Sequence, residues 1–144
     1  MLFRSKEWIK SLKAALVRNN AAHHLHTQIV AADSVHEGWQ LAEDMTADPA
    51  LLQAVDAVGV HYPVYESTPA ARNLMHGNTP VPLWDSEDTY LIYSGPPASV
   101  LAKQLNRNYI EGKMTRLVHC TLAAALPAFF PYKEGLVQDR KSVV

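Results

Sequence analysis

The chain has 144 residues, 48% of them hydrophobic, and it carries 13 Lys and Arg against 14 Asp and Glu. This length and composition suit one globular domain and exclude intrinsic disorder. A formal net charge of -1 without a basic block argues against nucleic acid as partner. No apolar run approaches the roughly 20 residues of a membrane span. The charged N-terminus lacks the apolar core of a signal peptide, so the sequence taken literally predicts a cytoplasmic protein.

Apolar runs alternate with helical patterns along the chain. Four runs recur at intervals of roughly 25 to 35 residues and are predicted as strands, the fourth being ambiguous between strand and helix: Thr27–Ala32, Ala54–Val60, Val81–Trp84 and Thr115–Ala125. The predicted helices run from a Ser5 cap to about Asn20, from Ser34 or His36 through Ala42, over Pro49–Gln53, as a turn at Ala70–Met75, and from Pro97 to Gly112.

The last predicted helix has the strongest apolar stripe in the chain. The residues expected to face the core are Val100, Leu101, Leu105 and Tyr109. Gly112 stands where a left-handed C-cap is expected.

Apolar strands separated by helices indicate a parallel sheet covered on both faces. Two architectures fit: a small open doubly wound sheet, or half of a (β/α)8 barrel, whose full form needs about 250 residues. In either fold the chemistry is expected at the carboxyl ends of the strands.

Polar clusters follow three of the predicted strands. Asp85-Ser86-Glu87-Asp88 follows the third and offers a nucleophile or base, although a solvated loop or helix N-terminus also favours acids. His61-Tyr62 ends the second, where a structural histidine is the alternative. Asp33-Ser34 ends the first.

Other motifs carry little chemistry. His23, His24 and His26 lie at the amino end of a strand with no acidic or Cys partner at ligand spacing, so no metal site is predicted. The single cysteine, Cys120, is expected to be a buried hydrophobe. No cofactor is predicted, since no Gly-rich phosphate-binding loop follows any strand.

Three segments together resemble one family. DAVGVHYP, PLWDSEDTY and LNRNYIEGKMT occur in this order, at close to this spacing, in the galactosylceramidases of glycoside hydrolase family 59. The resemblance runs from about Trp8 to about Leu136 and implies that residues 1–144 are part of one catalytic domain. It identifies the strands as the fifth to eighth of a (β/α)8 barrel, the eighth being Thr115–Ala124.

The resemblance also implies an activity, partners and a location. The family hydrolyses the β-galactosyl bond of galactosylceramide and related sphingolipids with retention. Its nucleophile matches Glu87, and Tyr132 matches a substrate-contacting tyrosine. His61 and Tyr62 are further expected substrate-binding residues because of their place at the end of the second predicted strand. A lipid-presenting activator protein and a lysosomal location are further implications.

The chain departs from the family pattern at several positions. By spacing, the family's acid/base glutamate falls at or just before Met1, so the isolated chain is predicted to be inactive. A family tryptophan falls at Cys120, and a family serine falls at Tyr90.

Two other functions stay open. One is a non-catalytic α/β domain that binds a sugar or a protein partner. The other is a self-sufficient doubly wound enzyme that uses Asp33, His61 and Glu87.

Overall fold

The computed structural model of the protein describes residues 6–35, 38–63, 67–89, 97–119, 123–124 and 137–138. Its helices are α1 Lys6–His23, α2 Gly38–Ala47, α3 Pro49–Ala54, α4 Pro69–Leu74 and α5 Pro97–Leu105, which a π-helix continues over Asn106–Glu111. Its strands are β1 Val30–Ser34, β2 Ala57–His61, β3 Leu83–Asp88, β4 Arg116–His119, β5 Ala123–Ala124 and β6 Val137–Gln138. Predictions on Ser5, Tyr90, Cys120 and Tyr132 lie outside the described residues. No described helix is long and apolar enough to cross a bilayer.

The first four strands form one parallel sheet in the order β1-β2-β3-β4. Spatial order therefore follows chain order, with no reversal among the described strands. The β5 and β6 strands pair separately, also in parallel. The fourth predicted run thus contains two strands that belong to different sheets, and its interpretation as one strand was wrong.

The hydrophobic core lies between one face of the sheet and the helices. Ala31, Val58 and Leu83 are neighbours across β1, β2 and β3 and belong to one buried cluster. Helices α1 to α4 supply most of the other members of that cluster, including Ile9, Met45, Leu51 and Leu74. Helices were predicted on both faces of the sheet. For the described residues this prediction is wrong, because their helices pack on this one face.

The opposite face of the sheet carries a different set of side chains. Trp84 and Arg116 are register partners on β3 and β4, and the Arg116 guanidinium lies 4.1 Å from the centre of the Trp84 ring. Val118, two residues further along β4, remains 42% exposed. The two faces of the sheet therefore differ, one being apolar and covered and the other mixed and partly open.

Helix α1 is held to the domain by charge as well as by apolar contact. Ile9 is buried, and Leu12 and Leu16 pack against the core. Lys13 Nζ lies 2.7 Å from both carboxylate oxygens of Asp56, and the same carboxylate accepts the Ile29 N–H at 2.8 Å. Asp56 thus joins α1, the entry to β1 and the entry to β2.

Two predicted strands extend further than expected. The first was predicted to end at Ala32 but includes Asp33 and Ser34, so the predicted helix start at Ser34 is wrong. The alternative start at His36 lies outside the described residues. The third was predicted to end at Trp84 but runs through Asp88. Acidic residues do not end β3, because two of its carboxylates are buried with partners described below.

The inner stripe of α5 was also predicted wrongly. Val100 is buried as expected, but the residues that continue its face are Gln104, 5% exposed, and Asn108, fully buried. Leu105 and Tyr109 are each 39% exposed. Polar residues lie inward here because a buried acidic residue on β3 faces this helix.

The end of this helix differs from the prediction as well. Gly112 has φ −81°, and the left-handed conformation falls on Lys113, with φ 55°. A Cβ on Gly112 would lie 3.1 Å from the Arg107 carbonyl oxygen and 3.2 Å from that of Asn108. Close approach to the π-helix, rather than positive φ, explains glycine at this position.

The Asp56 junction predicts a selective loss of stability. Asp56→Ala removes an acceptor of two charge-assisted partners, so we expect the free energy of unfolding to fall by about 2 kcal/mol in urea titrations. Asp44→Ala, which removes a more exposed pair with Lys6 at 2.9 Å, is the control and is expected to cost less than about 1 kcal/mol. Equal losses in both variants would show that Asp56 is an ordinary surface ion pair.

Candidate active site

The carboxyl edge of the sheet is irregular in all three strand pairs. Between β1 and β2, Ala32 pairs with Gly59 and Ser34 with Val60, which leaves Asp33 as an extra residue. Between β2 and β3, Val60 pairs with Asp85 and His61 with Glu87, which leaves Ser86 extra. The β3–β4 register shifts over the same stretch of β3. Such bulges redirect side chains and are common beside active sites.

The bulge in β3 places Glu87 among polar side chains of β2. The Tyr62 hydroxyl donates a hydrogen bond to Glu87 Oε1, and His61 Nδ1 lies 3.6 Å from Oε2. The backbone is tied as well, since the Tyr62 N–H donates to the Glu87 carbonyl oxygen at 2.7 Å. The Glu87 side chain stays 34% exposed, so the carboxylate is held in place and remains accessible.

Asp33 connects the other members of this group. Its Oδ1 atom lies 2.8 Å from His61 Nε2 and 2.8 Å from Ser86 Oγ. Because a carboxylate is an acceptor, His61 Nε2 is the donor and its proton is held on that side of the ring. Gly59 leaves room for this contact, since a Cβ there would lie 2.8 Å from Ser86 Oγ.

Left-handed backbone occurs at the same edge. Ala32, Asp33 and Tyr62 have φ values of 71°, 44° and 46°. Non-glycine residues pay about 1–3 kcal/mol for such conformations, which persist where the surroundings fix them and which cluster at functional sites. Two of these three residues, Asp33 and Tyr62, carry the side chains that organise the site.

Two other acids of β3 face the helices instead. Asp88 Oδ2 accepts from Arg107 Nη2 at 2.7 Å, and Asp85 Oδ2 lies 3.6 Å from the same nitrogen. Asn108 Nδ2 donates to Asp85 Oδ2, and Arg107 Nε donates to Asn108 Oδ1 at 2.8 Å. Asp85 Oδ1 has no hydrogen-bond partner within the described part of the chain.

Burial and the neighbouring Asp88 carboxylate together raise the pKa of Asp85 to about 8, against the opposing effects of Asn108 and Arg107. At neutral pH Asp85 is therefore mainly protonated, and the Arg107 charge is available to Asp88. The two buried acids then carry about one negative charge, which one guanidinium neutralises.

Comparison with known proteins identifies the family of this chain. The model of glycosyl hydrolase family 59 matches residues 3–142, nearly the whole chain. The chain belongs to this family.

Curated relatives agree with this assignment. The chain is 36% identical over 118 residues to a galactocerebrosidase of Danio rerio, 33% over 105 residues to one of Homo sapiens and 30% over 137 residues to one of Salmo salar. These matches cover 82%, 73% and 94% of the chain but 16%, 14% and 19% of the respective relatives. The chain therefore spans less than a fifth of the length of these family 59 proteins.

The structure brings together three of the four predicted site residues. Glu87, His61 and Tyr62 are in contact at the carboxyl edge, while Tyr132 lies outside the described residues. Asp33, weighed only in the alternative of a self-sufficient enzyme, contacts the same group. His23, His24 and His26 are exposed, and the described residues contain no cluster of His, Cys, Asp and Glu able to hold a metal.

Sequence reasoning missed Ser86, Arg107 and Asn108 as partners of the site. For Asn108 and Arg107 a signal existed. An aspartate directly after the apolar residues of a buried strand needs a polar partner, and the polar segment NRN continues the helix predicted to follow that strand. For Ser86 no signal existed, because its role depends on the bulge.

The pKa of Asp85 predicts a pH-dependent stability. The folded state holds this proton up to about pH 8, whereas the ordinary pKa is 3.8, so stability falls as pH rises through this window. The slope reaches about 1.4 kcal/mol per pH unit at most. Asp85→Asn, which keeps the shape and cannot ionise, is expected to remove this fall, so that its melting temperature exceeds that of the wild type increasingly from pH 5 to pH 9.

The matched control for this comparison is Asp44→Asn, a change at a partly exposed ion pair on α2. Its melting temperature should run parallel to that of the wild type over the same pH range. A constant difference between wild type and Asp85→Asn would mean that Asp85 is ionised throughout.

Proposed function

We propose that this chain forms the nucleophile-bearing half of the catalytic barrel of a retaining β-galactosidase that hydrolyses galactosylceramide and related glycosphingolipids. Glu87 is the proposed nucleophile. The observation that carries the proposal is the β3 bulge, which turns Glu87 toward Tyr62 and His61 at the edge of the sheet where chemistry is expected. Membership of family 59 and the galactocerebrosidase names of the relatives support the reaction class and the substrate.

Two features of the sheet support half a (β/α)8 barrel, with its strands as the fifth to eighth. Strand order follows chain order, as barrel closure requires, whereas doubly wound sheets contain a reversal. The described helices also pack on one face, as they do around the outside of a barrel. The mixed face of Trp84 and Arg116 would then point toward the barrel interior.

The contacts of Glu87 suit nucleophilic attack. The Tyr62 hydroxyl binds one carboxylate oxygen and fixes the rotamer of the side chain. The other oxygen, Oε2, faces His61 Nδ1 at a distance longer than a hydrogen bond. Among the described residues, Glu87 is therefore oriented by one strong donor, and its other oxygen accepts no short hydrogen bond.

The proposed reaction proceeds in two displacements. Glu87 attacks the anomeric carbon, the bond from that carbon to the ceramide oxygen breaks, and this oxygen takes a proton from a general acid. Water then attacks the anomeric carbon and gives a proton to the same acid/base group. The ester bond to Glu87 breaks and the carboxylate is restored, so that one water is consumed for each galactose released.

The second carboxyl group of this mechanism must lie about 5–5.5 Å from the nucleophile. Among the described acids near Glu87, Asp33 is bonded to His61 and Ser86, and Asp88 is bonded to Arg107. We therefore propose that the acid/base group lies outside the described residues. On the family resemblance, we also propose that residues 1–144 alone are inactive toward substrates with poor leaving groups.

His61 and Tyr62 are proposed to border the sugar site because both face Glu87. Further parts of the proposal rest on the family alone. Tyr132 is proposed to contact the galactose. A lipid-presenting activator protein is the proposed protein partner, since the substrate is a membrane lipid. A lysosomal location is proposed for the whole enzyme on the same basis.

A substrate whose leaving group needs no acid tests Glu87 in the chain itself. Treatment with 2,4-dinitrophenyl 2-deoxy-2-fluoro-β-galactoside should add one fluorogalactosyl group, detected by intact mass spectrometry and located on Glu87 by peptide mapping. The fluorine slows hydrolysis of the ester, so the adduct accumulates. Glu87→Gln should take no label.

The matched control is Glu43→Gln, which changes an exposed glutamate on α2 and should label at the wild-type rate. Label found on Asp33 instead of Glu87 would reassign the nucleophile. A wild-type chain that takes no label at any reagent concentration, while remaining folded, would refute the proposal.

Tyr62 should affect the rate of this labelling. Tyr62→Phe removes the hydroxyl that donates to Glu87 Oε1, and the loss of one hydrogen bond to a charged group corresponds to roughly a 10- to 100-fold slower rate. Tyr109→Phe, on the exposed side of the π-helix, is the control and should leave the rate unchanged. An unchanged rate in Tyr62→Phe would mean that the tyrosine does not orient the nucleophile.

A further inference from the structure

The two acids that flank the site residues of β3 are held from the opposite side of the sheet. Ser86 and Glu87 contact residues of β1 and β2, whereas Asp85 and Asp88 contact the π-helix. One nitrogen, Arg107 Nη2, lies 3.6 Å from Asp85 Oδ2 and 2.7 Å from Asp88 Oδ2. Arg107 therefore contacts the residues on both sides of the bulge from the helix-covered face of the sheet.

A second link closes this arrangement into a ring. Arg107 Nε donates to Asn108 Oδ1 at 2.8 Å, and Asn108 Nδ2 donates to Asp85 Oδ2. Asp85 and Asn108 are fully buried, and Asp88 is 4% exposed. Water is therefore excluded from the contact between Asp85 and Asn108, while the Arg107 side chain is 22% exposed. The ring restricts the spacing between Asp85 and Asp88, and hence the geometry of the two residues between them.

Two consecutive residues of the π-helix, Arg107 and Asn108, both contact acids of β3. The wider turn over Asn106–Glu111 is closed by the Gly112 N–H on the Arg107 carbonyl at 2.7 Å. Segments of this kind are frequent at functional sites. Here the segment brings both side chains to β3.

The charges of the ring are balanced. Asp85 is mainly protonated at neutral pH because of its burial and the neighbouring Asp88, so its pKa is about 8. The guanidinium can then pair with Asp88, whose other oxygen accepts the Thr89 N–H at 2.8 Å. The ring is thus a neutral unit that stays intact beneath the sheet.

We propose that Arg107 is a positioning residue for Glu87: by holding Asp85 and Asp88 from the helix side, it maintains the bulge that turns Glu87 toward Tyr62 and His61. The role of Glu87 rests on the proposed function, but the geometric claim does not. Arg107 touches no reacting atom and acts through the backbone of β3.

Amide hydrogen exchange by NMR tests the geometric claim in the whole chain. The Tyr62 N–H donates to the Glu87 carbonyl and reports on the bulge, and the Val58 N–H donates to the Pro82 carbonyl at 3.0 Å and reports on the same strand pair below it. In Arg107→Met we expect about tenfold faster exchange at Tyr62 and unchanged exchange at Val58. Arg107→Lys can still pair with Asp88 and should give an intermediate effect. If Arg107→Met does not fold, the comparison is made with Arg107→Lys.

The control variant is Arg116→Met, which removes an exposed arginine from the other face of β4 and should leave both amides unchanged. Equal acceleration at Tyr62 and Val58 in both Arg107 variants would mean a general loss of stability and would overturn the proposal, as would unchanged exchange at Tyr62.

The labelling rate at Glu87 should fall in parallel with the loss of Tyr62 protection. If wild type takes no label, the nucleophile assignment fails, while the exchange result still decides the role of Arg107.

Discussion

The arrangement of the site depends on one extra residue in β3. In a regular strand, alternation would place Glu87 on the same face as Asp85, beneath the helices, and Asp88 on the open face with Ser86. The register shift between Val60 and His61 reverses this for the last two residues. Glu87 then joins His61 and Tyr62, and Asp88 joins Asp85 in the buried layer. The contacts that Glu87 and Asp88 make follow from this displacement.

The displacement has a consequence on the other face of the sheet. Asp85 already lies in this buried layer beside the fully buried Val58 and Leu83, and the displacement adds the carboxyl group of Asp88 to it. Two buried charges without partners would cost several kcal/mol each. The chain avoids this with one proton on Asp85, one guanidinium and one amide, all within a single ring. The polar residues that α5 and its π-helical continuation direct toward the sheet therefore supply the partners of the buried acids at the bulge.

Periodicity and the family resemblance together predicted the four parallel strands, the helices between them and the position of Glu87. They did not predict the strand ends, because acidic residues normally stop a buried strand and here they are paired. They placed Leu105 and Tyr109 inward because these residues continue an apolar stripe. Gln104 and Asn108 lie inward instead, where they bind the Thr89 carbonyl oxygen and the buried Asp85. A bulge has no composition signal of its own, so the contacts of Asp33 and Ser86 were not predicted.

The β1 bulge complements the β3 bulge. Asp33 is extra in β1 as Ser86 is extra in β3, and the two side chains meet across the intervening β2 at 2.8 Å. Because β2 carries Gly59 between them, nothing obstructs that contact. His61 then occupies the space above, bonded to Asp33 on one side and facing Glu87 on the other. The polar groups are thus carried by three adjacent strands and the residue directly after one of them, and strand frameworks hold side chains more closely than loops do.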